Sequence, residues 1–134
     1  MDEDFNDIIY NQQKIKEVIN MPYISVNLSF NVPDEKKEQI KSALGNAITL
    51  IPGKTESSLM VGICDGYDIY IGGAKKEKAA YVDVKLLGKA SKESKKEITA
   101  EIFKVFEKLL DIKPENLYLT FGEYEEWGYM GSLL

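Results

Sequence analysis

The strongest constraint on the fold is an internal duplication with an offset of 58 residues. The offset places Tyr23 on Tyr81 and Val26 on Val84, and it carries the apolar positions of one predicted helix onto those of another. These helix positions are Leu44, Ala47, Ile48 and Ile51 in the first copy and Ile102, Val105, Phe106 and Leu109 in the second. Because a strand pattern and a helix pattern repeat in phase, we predict two copies of one supersecondary unit.

Each copy has the pattern of a strand, a helix and a second strand. From Tyr23 to Phe30 apolar and polar residues alternate, which is typical of a strand with one buried face. The first predicted helix begins at Pro33, and the second carries a predicted capping box formed by Ser94 and Glu97. Two βαβ units with right-handed crossovers predict an α+β fold: a four-stranded mixed sheet with both helices on one face.

We predict that residues 22–134 form one domain and that residues 1–21 are an N-terminal extension. The apolar spacing from Phe5 to Ile19 predicts a short amphipathic helix in the extension. The stretch Lys16-Glu17-Val18 can be encoded by a purine-rich bacterial ribosome-binding sequence. We therefore expect that the natural product starts at Met21.

Composition argues against several classes of function. The net charge is −5, the pI is about 4.9, and no basic block is present, so we expect no nucleic-acid partner. The chain has no histidine and a single cysteine, Cys64, so we expect no metal and no cofactor; Cys64 is predicted to be buried. Because the N-terminus is acidic and has no long apolar run, we expect neither a signal peptide nor a membrane span. We expect a cytoplasmic protein without a membrane partner, and unconventional export stays open.

The dipeptide Met21-Pro22 at the start of the first strand decides which chemistry is available. If Met21 were the first residue and were removed, Pro22 would carry a free secondary amine, a base whose pKa lies close enough to neutrality for proton transfer. If residues 1–20 stay attached, the same nitrogen is an amide and has no basic lone pair. Function therefore depends on whether Pro22 is an N-terminus.

These residues resemble a known family. The resemblance runs from Met21 to Leu134 and is to the tautomerase superfamily, within it to the macrophage migration inhibitory factor group. It rests on the following pieces: Met21-Pro22 with its alternating strand, Gly53-Lys54, Ile71-Gly72-Gly73, Leu87-Gly88-Lys89, Ile112-Lys113-Pro114 to Leu117-Tyr118, and Gly128-Tyr129-Met130-Gly131-Ser132.

The resemblance implies a homotrimer whose sheets wrap into a barrel, with an active site at each subunit boundary. It implies an isomerase that catalyses keto–enol tautomerisation of phenylpyruvate-like or dopachrome-like substrates. In this interpretation Pro22 shuttles the proton and Lys54 holds the substrate carboxylate, while Leu87 provides backbone hydrogen bonds and an apolar wall.

The same resemblance implies three further substrate-binding positions. Tyr118 would come from the neighbouring subunit. Thr120 stands where the family often has asparagine, and Tyr129 where it often has tryptophan, so the shape of the pocket is expected to differ. All 17 basic residues are lysine, and this absence of arginine favours a monocarboxylate 2-keto acid over a dicarboxylate.

Two alternatives remain open. In one, the extension caps Pro22 and the protein is a non-catalytic relative that acts as a cytokine-like or scaffolding interaction protein. In the other, the chain is a ferredoxin-like small-ligand module. One sheet face is polar and is predicted to be covered by other subunits; its residues include Ser25, Asn27, Asp83, Lys85, Tyr118 and Thr120.

Overall fold

The computed structural model describes Phe5 and residues 21–134. Apart from Phe5, the helix predicted between residues 5 and 19 lies outside the described residues, as does nearly all of the predicted extension. No helix among the described residues is long and apolar enough to cross a membrane.

The first unit consists of a strand, a helix, a second strand and a short hairpin. Its elements are β1 (Pro22–Leu28), α1 (Asp34–Ala47), β2 (Met60–Cys64), β3 (Tyr70–Ile71) and β4 (Ala74–Lys75). A 3-10 turn at Ile48–Leu50 extends the C-terminal end of α1.

The second unit repeats this order at the same offset. Its elements are β5 (Ala80–Leu87), α2 (Lys92–Leu110), β6 (Leu117–Tyr124), β7 (Gly128–Tyr129) and β8 (Ser132–Leu133). The first residues of β1 and β5, of α1 and α2, and of β3 and β7 are each separated by 58 positions. The predicted duplication is confirmed. It also includes the hairpins formed by β3 with β4 and by β7 with β8.

The four long strands form one sheet in the order β2-β1-β5-β6. Strands β1 and β2 are parallel, β5 and β6 are parallel, and the two pairs meet along the antiparallel contact of β1 with β5. This arrangement confirms the predicted α+β fold with a four-stranded mixed sheet and two helices.

The core lies between the sheet and the two helices. Alternate residues of the inner strands meet one face of each helix, and all of the following are at most 1% exposed: Ile24, Val26, Leu28, Ile40, Leu44, Val82, Val84, Leu86, Ile98, Ile102 and Phe106. Fully burying one such aliphatic or aromatic side chain contributes about 1.5–3 kcal/mol. The apolar residues that recur every two positions in the strands and about every 3.6 positions in the helices therefore pack into one core.

Two local predictions are wrong. Helix α2 begins at Lys92, and its N-cap is Ser91, whose Oγ accepts the Ser94 N–H at 3.1 Å; the predicted capping box starting at Ser94 is displaced by one helical turn. Cys64 is exposed. It lies beside Asn27 on the edge strand β2, so its side chain shares the uncovered face of the sheet.

Candidate active site

Pro22 lies at the start of β1, where it is buried and pairs with Leu86 of β5. A groove of about 850 Å³ opens beside it. Its walls come from the start of β1, the segment before β2 and the last hairpin, and it is lined by Met21, Pro22, Tyr23, Ser57, Ser58, Leu59, Met60, Trp127, Gly128 and Tyr129. Two of the predicted site residues, Pro22 and Tyr129, thus share one groove.

Lys54 lies in the loop that follows α1 and is only 7% exposed. Its Nζ donates to the carbonyl oxygen of Leu87 at 3.2 Å. Burial lowers the pKa of the Lys54 ammonium, because taking the charge out of water disfavours the protonated form. The loop therefore holds a cation inside the protein, at the same end of the sheet as Pro22.

The backbone of Leu87 connects Lys54 to the residue before Pro22. The Leu87 N–H donates to the Met21 carbonyl oxygen at 3.0 Å, while the Leu87 carbonyl accepts from Lys54. Met21 is itself 9% exposed. With Met21 attached, the Pro22 nitrogen is a tertiary amide, and the Leu87 N–H is directed at a peptide oxygen.

Trp127 is a groove residue that the sequence reasoning missed. Its ring meets that of Tyr124 edge-on, with centroids 6.2 Å apart, and its carbonyl accepts the Leu134 N–H at 2.8 Å. A signal was available in the sequence: Trp127 is the single tryptophan and directly precedes Gly128-Tyr129. Together Trp127 and Tyr129 give the groove an aromatic wall.

Tyr118 and Thr120 lie away from this groove within one chain. Tyr118 pairs with Tyr81, which pairs with Asn27, five positions along β1 from Pro22. At about 3.3 Å per residue this is a displacement of about 16 Å along the strand. Both side chains are exposed on the uncovered sheet face. One chain therefore places Pro22 and Tyr129 in the groove and connects Lys54 and Leu87 to Met21 by hydrogen bonds, although neither Lys54 nor Leu87 lines the groove. Tyr118 and Thr120 lie elsewhere.

The sequence matches the family model of macrophage migration inhibitory factor (MIF) over residues 21–134. A comparison with curated proteins gave no significant match.

Solved structures agree with this match. MIF2 of Leishmania major is 25% identical, with a TM-score of 0.79 over 86% of this chain and 98% of that one. The MIF-like protein of Entamoeba histolytica is also 25% identical, with a TM-score of 0.75 over 85% and 99% of the two chains. A native fused 4-OT has a similar fold at 18% identity, with a TM-score of 0.73 over 82% and 94% of the two chains.

Proposed function

The chain belongs to the macrophage migration inhibitory factor family of the tautomerase superfamily, and from this premise we propose that it is a keto–enol tautomerase. The general acid and base is the amine of Pro22 in a chain that begins at that residue. The substrate is a small aryl-bearing 2-keto acid or its enol, of the phenylpyruvate or dopachrome type. No cofactor or metal takes part in the proposed reaction.

The observation that carries the proposal is the hydrogen-bond chain from Lys54 through Leu87 to Met21. When Met21 is removed, the Leu87 N–H loses the acceptor that lies 3.0 Å away. This N–H and the Lys54 ammonium then offer two donors beside the new N-terminus. Two donors, one of them charged, suit a carboxylate, and the Met21 carbonyl oxygen marks where a substrate oxygen would lie.

The burial of Pro22 supports its role in proton transfer. A free α-amino group has a pKa of about 7.7–8.0, and both desolvation and a nearby ammonium lower it toward neutrality. In the proposed step the neutral amine takes a proton from the carbon beside the keto group, and a proton is returned to the oxygen to form the enol. A positioned acid or base of this kind contributes about 10² to 10⁴ in rate.

Substrate choice follows from the groove and the charges. Lys54 supplies a point charge for one carboxylate, and the aromatic wall of Trp127 and Tyr129 suits an aryl group. In the proposed homotrimer, Tyr118 and Thr120 of a neighbouring subunit complete the site. Assembly would also cover the polar sheet face that the helices leave open.

The test compares three proteins: residues 22–134, residues 1–134, and residues 22–134 with Pro22→Gly. Residues 21–134 contain every strand and helix given above and are the stretch that the family model matches, which supports their use as a folding unit. We expect the chain that begins at Pro22 to turn over phenylpyruvate, and Pro22→Gly to do so about 100-fold more slowly. The chain that keeps residues 1–20 should show no turnover. Equal turnover by all three would overturn the proposal.

A second candidate function is favoured by the contact between Met21 and Leu87. Because the Met21 carbonyl already accepts the Leu87 N–H, a chain that keeps its extension has neither the amine nor the free donor. Such a protein would act as a cytokine-like or scaffolding binding module. The intact mass of the protein from its own organism separates the two: a mass matching residues 22–134 supports the tautomerase, and one that includes residues 1–20 supports the binding module.

A further inference from the structure

Helix α1 contains one glycine, Gly45, and the helical conformation does not require it. Gly45 is not among the glycines with a positive φ, so an L-residue could adopt the same backbone conformation. Inside a helix glycine is less favourable than alanine, because it loses more chain entropy on folding. Gly45 is nevertheless buried. A buried glycine that the backbone does not require points to a neighbour that occupies the place of its side chain.

That neighbour is the side chain of Glu56, in the segment that follows α1. A Cβ on Gly45 would lie 2.8 Å from Glu56 Cγ and closer still to the carboxylate. Heavy atoms do not pack at such distances, so a larger residue at position 45 and the present position of Glu56 exclude each other. The hydrogen bond and the charge of Glu38 raise the pKa of Lys41 on the same helix, and the charge of Glu56 adds to this rise. Glu56 therefore lies across α1, over Gly45 and near Lys41.

Glu56 lies between two parts of the candidate site that this segment carries. Lys54 is two positions before it, and the groove residues Ser57, Ser58 and Leu59 follow it directly. The Glu56 carbonyl accepts the Leu59 N–H at 3.0 Å, so its backbone also belongs to the turn that leads into the groove wall. A contact that holds Glu56 against α1 therefore limits where both parts can lie.

The second unit forms the same turn without this contact. A 3-10 turn precedes β6 as one precedes β2, and the two turns are 58 positions apart. The equivalent of Gly45 is Phe103, and the equivalent of Glu56 is Pro114, which has no carboxylate. The shared fold thus forms without a glycine at this helix position. The pair of glycine and glutamate occurs in the unit that carries Lys54.

We propose that Gly45 and Glu56 are positioning residues for the candidate site, because the Glu56 side chain rests on the bare backbone of Gly45 and holds the segment after α1 in place. That segment carries Lys54 and the groove residues 57–59. The inference rests on the proposed function, in which Lys54 holds the substrate carboxylate. In this proposal neither positioning residue touches the substrate. Their loss displaces the ammonium and leaves the proton transfer at Pro22, so the effect falls on KM rather than on kcat.

The first variant is Gly45→Ala in the chain that begins at Pro22. The added methyl group displaces the flexible end of Glu56, and alanine favours the helix, so the midpoint of thermal unfolding should stay the same or rise by about 3 °C. We expect KM for phenylpyruvate to rise about tenfold, part of the effect of a charged hydrogen bond. The value of kcat should stay within about twofold of the parent. A general disturbance of the fold would instead lower stability.

Variants of Glu56 test whether the effect acts through this side chain. Glu56→Ala should raise KM about as much as Gly45→Ala does. The double variant should be no worse than either single one, because both changes remove the same contact. Glu56→Gln keeps the shape that rests on Gly45 and should keep KM within about twofold of the parent.

Asn46→Ala is the matched control. It also replaces a poorer helix former by alanine, at the exposed position of α1 next to Gly45. The helix is favoured in the same way, and the contact with Glu56 is kept. We therefore expect the midpoint of thermal unfolding to rise similarly and KM to stay at the parental value.

A second readout does not depend on turnover. The N–H groups of Lys54 and Leu59 each donate to a backbone carbonyl of the segment at 3.0 Å, and hydrogen exchange reports how often these bonds open. We expect both amides to exchange about tenfold faster in Gly45→Ala and in Glu56→Ala than in the parent. In Asn46→Ala they should exchange at the parental rate.

The outcomes separate this inference from the proposed function. Unchanged exchange in Gly45→Ala overturns the inference, whatever the activity. Faster exchange with an unchanged KM also overturns it, because the segment would then be held without positioning the site. A KM raised equally in Asn46→Ala, or as much by Glu56→Gln as by Glu56→Ala, does the same. A parent without turnover overturns the proposed function, and the exchange of the two amides then decides this inference alone.

Discussion

The two units of the duplication build the same backbone contact at opposite ends of the sheet. At one end the Leu87 N–H donates to the Met21 carbonyl at 3.0 Å, and at the other end the Ser29 N–H donates to the Ala79 carbonyl at 3.0 Å. The two donors, Ser29 and Leu87, are separated by the 58-residue offset of the duplication, and so are the two acceptors, Met21 and Ala79. The strand that follows begins with Pro22 at one end and with Ala80 at the other.

Each unit also has a carboxylate that accepts a backbone hydrogen bond just before its helix. Glu123 accepts the Ala90 N–H at 2.7 Å and pairs with Lys95 at 2.8 Å. At the equivalent positions of the first unit, Asp65 accepts the Val32 N–H at 3.0 Å and lies 3.7 Å from Lys37. This contact supports the fold at both ends and is independent of any chemistry.

The units differ at a buried position that, among residues 21–134, is the one that carries charge. Lys54 is 7% exposed, and its counterpart Ile112 is 1% exposed. At the second end the Ser29 side chain also hydrogen-bonds to the backbone, since its Oγ accepts the Ala79 N–H at 2.8 Å. The duplication therefore supplies two equivalent ends, and a buried cation beside a proline distinguishes the candidate site from its copy.

The largest effect on stability is expected when a charge is introduced at the equivalent position of the second unit. Ile112→Lys puts an ammonium at a position that is 1% exposed. We expect a loss of about 3 kcal/mol in the free energy of unfolding, since desolvating the charge outweighs what one new hydrogen bond returns. Urea unfolding measures it, with Ile112→Met as the control of similar volume. A loss no greater than that of the control would show that both ends accept the charge equally.

The converse substitution removes the charge from the candidate site. Lys54→Ile should lower kcat/KM for phenylpyruvate by about 100-fold, mainly through KM, since a charged hydrogen bond to the carboxylate is lost. The free energy of unfolding should stay the same or rise, because a buried ammonium is replaced by isoleucine, the residue at the equivalent position 112 of the second unit. Lys104→Ile, on an exposed helix position, is the control. A similar loss of activity in both variants would contradict a specific role for Lys54.

The lowered pKa of Lys54 adds a pH dependence to this comparison. Burial is the cause of the shift, so KM should begin to rise at a pH below the ordinary lysine value of 10.5. Between the lowered folded pKa and 10.5 the unfolded chain binds more protons, so stability rises with pH in that window. In Lys54→Arg the side chain stays charged, and the alkaline rise in KM should disappear.

A smaller effect is expected from the shared carboxylate. Glu123→Gln should cost about 1–2 kcal/mol in the free energy of unfolding at neutral pH, because an ionised acceptor is lost. The hydrogen bond from Lys95, followed by that from the Ala90 N–H, lowers the pKa of Glu123 below its ordinary 4.5. Its contribution is therefore full above 4.5 and is lost as pH falls through the lower folded pKa.

Thermal unfolding as a function of pH measures this contribution. In Glu123→Gln the acid-dependent loss of stability should be smaller than in the parent. Asp65→Asn, at the equivalent position, should have a weaker effect because its lysine lies farther away. A stronger effect of Asp65→Asn than of Glu123→Gln would reverse this ranking of the two units.

The smallest effect concerns the two hairpin turns. Gly72-Gly73 and Met130-Gly131 occupy equivalent positions with positive φ, and Met130 has a φ of 50° and is 78% exposed. A side chain in this region costs about 1–2 kcal/mol, partly offset by the greater chain entropy of glycine when unfolded. Met130→Gly should therefore raise the free energy of unfolding by about 0.5 kcal/mol, as measured by urea unfolding, while Gly72→Met should lower it. Equal stability of Met130→Gly and the parent would indicate that the turn is unstrained.

Patterns that depend on near neighbours could be predicted from the sequence. The period of two placed Ile24 and Val26 in the core, and the period of 3.6 did the same for Ile102 and Phe106. With the duplication they determined the fold, because short crossovers leave few ways to join two βαβ units. The missed hairpins have strands of two residues, which are too short to show a period, and Cys64 was misplaced because its face depends on pairing with β1.

Contacts between distant residues were decided by the tertiary structure. Lys54 and Leu87 are 33 positions apart, and nothing local to either residue indicates that the ammonium is buried or that the Leu87 N–H is directed at Met21. The hydrogen that Thr120 donates to Asp83 likewise depends on the register of β5 with β6. Register sets which backbone and side-chain groups meet, and it is settled only when the whole sheet packs against its helices.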